Sequence, residues 1–175
     1  MKRTFIVICM LLIFSFLTVF AQPKPVQRTK EFDKLNVFIG KWQTEGKIFP
    51  GKGIPPIETA GMHTFEWVMS KTWLMNKTEG SRVQGHGYIT WDRESGKYAF
   101  IWFDNFITKP AEYHGDWMDS QTLVFNRQTI SGETKAFSRI TWQVISDNEI
   151  KMTREVSADD EDYRVSTEVN YKKLK

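Results

Sequence analysis

The sequence predicts an all-β chain: an antiparallel up-and-down β-barrel of about eight to ten strands with one short N-terminal helix. Three observations carry that expectation. From Lys41 onward, runs in which residues alternate between two faces follow one another with little else between them. Nearly every joint between runs is of hairpin length and rich in turn formers, so consecutive runs pair with each other. A meander this long has two exposed edges, and closing the sheet removes both. A two-sheet sandwich is the alternative, but it needs longer crossing connections than these joints supply.

The elements follow in chain order. Lys2 and Arg3 precede an apolar run from Phe5 to Phe14, continued from Phe16 to Phe20 and ending at Ala21. That is the pattern of a secretory signal peptide over residues 1–21, with Val19-Phe20-Ala21 at the cleavage site and Gln22 as the new terminus. An uncleaved membrane anchor would need about 18 to 20 consecutive apolar residues, and Ser15 and Thr18 interrupt this run. The expected location is therefore periplasmic or extracellular, with no membrane span after cleavage. Residues 22–30 begin QPKPVQ, with no apolar period, and read as a flexible leader.

Residues 31–175 form the single folded domain. Thr29 can cap a short helix, Glu31 suits its first turn, and Phe32, Leu35, Phe38 and Ile39 recur at helical spacing. Gly40 supplies a left-handed stop, and Trp42 opens the first strand. Strands are expected at 41–49, 58–69, 72–79, 84–92, 97–104, 110–117, 121–129, 135–145, 149–157 and 163–173. In the RESG joint, Gly96 stands where a type I turn passes into a left-handed residue before the ladder resumes.

Composition excludes several function classes. The sole cysteine, Cys9, lies inside the signal peptide, so the mature chain has no disulfide, thiolate metal ligand or cysteine nucleophile. Without Lys2 and Arg3, 22 basic residues face 21 acidic ones, and the two signs are interspersed. Such a chain lacks the basic stripe that phosphate neutralisation requires, so no nucleic-acid partner is expected. There is no GxSxG elbow, and GKGIPP has neither the spacing nor the following helix of a phosphate loop. The GHG around His86 reads as a strand whose small residues admit a neighbour's bulk. Asn76-Lys77-Thr78 matches a glycosylation acceptor.

What remains is aromatic surface. All seven tryptophans lie beyond the signal peptide. One face of the 97–104 strand carries Tyr98, Phe100 and Trp102, and the other Ala99, Ile101 and Phe103. The strand is thus covered on both sides or offers a patch, and periodicity leaves open which face points inward. The 58–69 strand adds His63, Phe65 and Trp67 on one face. With Trp73 and His114 these make the candidate wall of a ligand-binding lumen: His63, Phe65, Trp67, Trp73, Tyr98, Phe100, Trp102 and His114. The bland alternative is ordinary aromatic core. The three histidines lack the close pairing of a zinc signature, so no metal or cofactor is expected. Asp92, Asp104, Glu112, Asp116 and Asp119 sit at strand ends or in polar runs, where turns and solvated faces account for them.

FIGKW, a glycine then a tryptophan after a short helix, resembles the GxW start of lipocalins and related calycin barrels. The order of GKWQTEGKIFPG, FEWVMSKTWL, GHGYITWDRESGKYAFIWFDN and EVNYKK is similar to the exported bacterial family catalogued as domain of unknown function fifteen seventy-nine, which is treated as lipocalin-like. The likeness runs from Phe32 to Lys173 and is most specific between Gly85 and Asn105. It implies a closed or nearly closed barrel and export, and it brings no activity. Lipocalins set an arginine of a late strand against the GxW tryptophan, a role for which Arg154 and Arg164 both qualify. Nitrobindin-like barrels, which hold haem through a histidine, are more distant, and no motif here matches their ligand.

The functional expectation is an exported, non-enzymatic barrel, monomeric or homodimeric, that binds a small apolar or amphipathic molecule. The alternatives are a barrel enzyme using a lumenal histidine or carboxylate for proton transfer or isomerisation, and a module that dimerises through its two-sided aromatic strand.

Overall fold

In the computed structural model, residues 26–175 are described; the expected signal peptide and residues 22–25 of the leader lie outside them. A helix α1 (Lys30–Lys34) passes directly into a 3-10 turn (Leu35–Phe38). Thr29 stands at the N-cap with an extended backbone, but its side chain makes no cap hydrogen bond. The turn is started instead by the Phe32 N–H, which donates to the Thr29 carbonyl at 3.1 Å. Phe32, Leu35 and Phe38 are all buried. Gly40 then turns the chain with φ +131°, a conformation that side-chain-bearing residues rarely adopt.

Ten strands follow: β1 (Gly40–Ile48), β2 (Ile57–Val68), β3 (Trp73–Gly80), β4 (Gln84–Asp92), β5 (Lys97–Asp104), β6 (Ala111–Trp117), β7 (Thr122–Ser131), β8 (Thr134–Ser146), β9 (Glu149–Ser157) and β10 (Arg164–Lys173). Each pairs antiparallel with its neighbour in sequence, and β1 also pairs with β10 from Trp42↔Lys173 to Ile48↔Thr167. That last ladder closes the barrel and rules out the sandwich. The joints behave as their residues require. Gly96 is left-handed at φ +64°, and Asp92 fastens the same turn by accepting the N–H groups of Glu94 and Ser95.

Alternation sets which side chains face inward. Trp42 and Thr44 of β1, His63 and Phe65 of β2, Leu74, Asn76 and Thr78 of β3, and Tyr98 and Phe100 of β5 are all buried on the lumen side. The helix and 3-10 turn plug one end. Phe38 packs against Phe65, Trp117 and Trp142, with ring centroids 5.7, 6.1 and 5.1 Å away. Inward aromatics also fasten the plug by their polar tips. Trp42 Nε1 donates to the Phe38 carbonyl at 2.7 Å, Tyr98 Oη to the Glu31 carbonyl at 2.7 Å, and Trp67 Nε1 to Asn36 Oδ1 at 2.8 Å. Buried tyrosines and tryptophans need such partners, and here the partners belong to the segment that stops the barrel.

Candidate functional site

The other end of the lumen is not filled. A cavity of about 640 Å³ runs from the barrel's middle to the loops after β1, β3 and β5, within the roughly 300–1,000 Å³ usual for small-molecule sites. Its wall includes Phe100, Trp102, Ala111, Tyr113, Ile140, Trp142, Met152 and Val169. Two glycines make room for that wall. A Cβ on Gly87 would collide with Phe100 Cε2, and one on Gly85 would come within 2.8 Å of Trp102 Cζ2, so both rings lie directly against bare backbone.

At the cavity's inner boundary sits His63. Its Nδ1 is 3.2 Å from Asn76 Oδ1 and 3.1 Å from Thr78 Oγ1, and its ring is 4.8 Å edge-on from Tyr171. Burial pushes its pKa down to about 4, against the opposing effect of the hydrogen bond that Asn76 Oδ1 accepts, so the imidazole is neutral at pH 7. Burial likewise raises the Tyr171 hydroxyl. The indole N–H of Trp142 is buried without an acceptor among the described residues.

Three arginines, Arg82, Arg127 and Arg154, reach the outer part of the cavity, against one carboxylate, Asp104. Asp104 is already engaged, accepting from Trp102 Nε1 at 2.6 Å and from the Phe106 N–H at 2.8 Å.

The sequence-derived candidates divide among three places. His63, Phe100 and Trp102 line the cavity. Phe65, Trp67 and Tyr98 also point inward, but they pack around the plug. Trp73 and His114 stand on the outer face. Leu74 takes the inward place beside Trp73, while Tyr113 and Gly115 take those beside His114, whose Nε2 reaches Glu112 at 3.3 Å on the surface. Trp73 and His114 therefore do not line the lumen. His86 is exposed as well, so the three histidines do not converge. Among the described residues no three metal-ligating side chains come together.

Two further expectations need correction. Neither Arg154 nor Arg164 covers the GxW tryptophan; Lys173 does, its Nζ 5.0 Å from the Trp42 ring centre. It stands directly opposite Trp42 in the β1–β10 ladder. The Asn76 sequon is no acceptor in the folded chain, because Asn76 is 2% exposed and bonded to His63. The inward set of the 97–104 strand is Tyr98, Phe100 and Trp102. Outside, Phe103 is exposed and lies 6.5 Å edge-on from Tyr88.

Residues 27–173 match the family described as protein of unknown function (DUF1579). The chain belongs to that family. No curated protein sequence matches it. Two solved structures share the barrel at low identity. Rv2717c from M. tuberculosis is 12% identical with a TM-score of 0.56, the match covering 85% of this chain and 100% of that one. The S-type phycobiliprotein lyase CPES from Guillardia theta is 9% identical with a TM-score of 0.50, covering 83% and 92%. At these identities the likeness is one of fold. Among the described residues no helix is long and apolar enough to cross a membrane.

Proposed function

We propose that this DUF1579 protein is exported and binds one small apolar or amphipathic molecule in the open half of its barrel. The cavity of about 640 Å³ carries the reading: a mostly apolar wall, a few polar groups and an opening at the loop end. A ten-stranded barrel is wide enough to leave such space once its base is plugged. The Lys2-Arg3 start and apolar run to Ala21 support export.

The lumenal histidine favours binding over proton-transfer chemistry. Its Nδ1 partners are an amide and a hydroxyl rather than a carboxylate, and desolvation makes it a poor base near neutral pH.

Native mass spectrometry of the protein purified without detergent from its host, followed by organic extraction, tests the reading. A stoichiometric small molecule carried by the wild type and lost from Ala111→Phe, which fills the lumen from its wall, is the expected result. A lumen that retains no extractable molecule and takes up no neutral apolar probe would rule it out.

A further inference from the structure

The cavity's charge is unbalanced in a way that specifies its ligand further. Outside the lumen the partly buried arginines among the described residues have carboxylate partners, Arg28 at 2.8 Å from Asp33 and Arg139 at 3.9 Å from Glu155, and those without one, Arg93 and Arg164, are exposed to water. The partly buried arginines of the lumen have no such partner. Among the described residues neither Arg127 nor Arg154 is within ion-pairing distance of a carboxylate, although both are partly buried. A guanidinium stays charged at any physiological pH and presents several N–H groups in a fixed plane. Partial burial without a counter-charge therefore leaves a standing preference for an anion.

The two side chains are also brought to one spot. Arg127 stands directly opposite Ser138 across the β7–β8 ladder. Arg154 comes from β9, and its Nε donates to the same Ser138 Oγ at 3.3 Å. The Arg127 guanidinium also lies 5.7 Å from the centre of the cavity-lining Tyr113 ring. Opposite Arg154 the β10 ladder shifts register between Val165 and Thr167, and the extra residue, Ser166, donates its hydroxyl to the Arg154 carbonyl at 3.0 Å. Bulges of this kind re-aim neighbouring side chains and recur beside functional sites. Inward of this cationic shelf the wall turns apolar, through Ile140, Met152 and Val169.

We infer that the ligand is an amphipathic organic anion, its charged head held by Arg127 and Arg154 around Ser138 and its apolar body directed toward Phe100 and Trp142. This rests on the lumen-binding reading above and adds the sign of the ligand's charge and its direction.

Calorimetric titration of the protein, as its host processes it, with laurate, 1-dodecanol and dodecyltrimethylammonium below their micelle concentrations tests it. Laurate binds at least about tenfold tighter than dodecanol, the size of one charge-assisted hydrogen bond, and the cationic chain binds weakest. The double variant Arg127→Gln/Arg154→Gln loses the laurate advantage and keeps the dodecanol affinity, which also shows that it remains folded. Laurate no tighter than dodecanol, or an advantage that survives the double variant, overturns the anion assignment and leaves the lumen reading standing. If none of the three chains binds, the lumen reading fails and the assignment falls with it.

Discussion

The two ends of this barrel use similar residues for opposite purposes. At the plugged end, large apolar side chains, most of them aromatic, fill the bore: Trp42, Tyr98, Phe38 and Leu123 are 0–1% exposed, and the polar tips of Trp42 and Tyr98 are satisfied by the plug's own backbone. At the open end, Phe100 and Trp102 lie directly against glycine backbone and leave space in front of them. Burial without voids gives stability, whereas a wall held back from the axis gives a site. The difference teaches that aromatic content alone cannot tell core from cavity; what each ring faces decides it.

The contrast can be broken most directly at the plug. Trp42→Ala removes a fully buried ring and the hydrogen bond to Phe38, and it should cost about 3–5 kcal/mol in urea unfolding. Met152→Ala, at the cavity wall, should cost only about 1 kcal/mol because its side chain already borders open space. Equal losses would mean that the two halves are equally packed.

His63 marks the boundary between them, and pH sharpens its place. Its folded pKa is about 4, against 6.5 for an unperturbed imidazole. Between those values the unfolded chain takes up a proton that the folded chain refuses. Stability therefore falls as pH drops from 6.5 towards 4, by roughly 3 kcal/mol at most, and this group adds no pH dependence above that window. Urea midpoints at pH 6.5, 5.5 and 4.5 should show the slope, and His63→Gln should flatten it. An unchanged slope in the variant would place the histidine in water.

Smaller effects follow from the edges of the two regions. Lys173→Ala removes the ammonium over Trp42 and should cost about 0.5–1 kcal/mol at low salt. Phe106→Ser, on the exposed β5–β6 loop, should leave the unfolding midpoint within about 0.5 kcal/mol of wild type. A larger loss there would mean that the rim is part of the core.

The barrel was legible because a strand announces itself by period two and its turns by glycine, as at Gly96, so all ten strands could be placed within about two residues. The site was only half legible. Alternation tells which face a residue shares but not its height along the barrel, and height separates Tyr98 at the plug from Phe100 and Trp102 in the cavity. A polar lumen also inverts the usual pattern. Asn76 and Thr78 face inward while Trp73 faces out, so the rule that apolar means inside picks the wrong face of β3. Arg127 went unseen for the same reason, and Arg154 was read only as a possible partner of Trp42, since an inward arginine looks like any exposed one. His114 could have been placed correctly, because Tyr113 and Gly115 on either side of it belong to the inward set.

The central claim, that one end is core and the other a ligand site, is tested most directly by a backbone and methyl chemical-shift titration with laurate. Binding should shift residues 59–63, 100–104 and 138–140, together with Met152 and Val169, and leave Leu35, Leu74, Leu123 and Ile150 in place. Shifts confined to the outer surface around Tyr88 and Phe103, or spread equally through the plug, would contradict it.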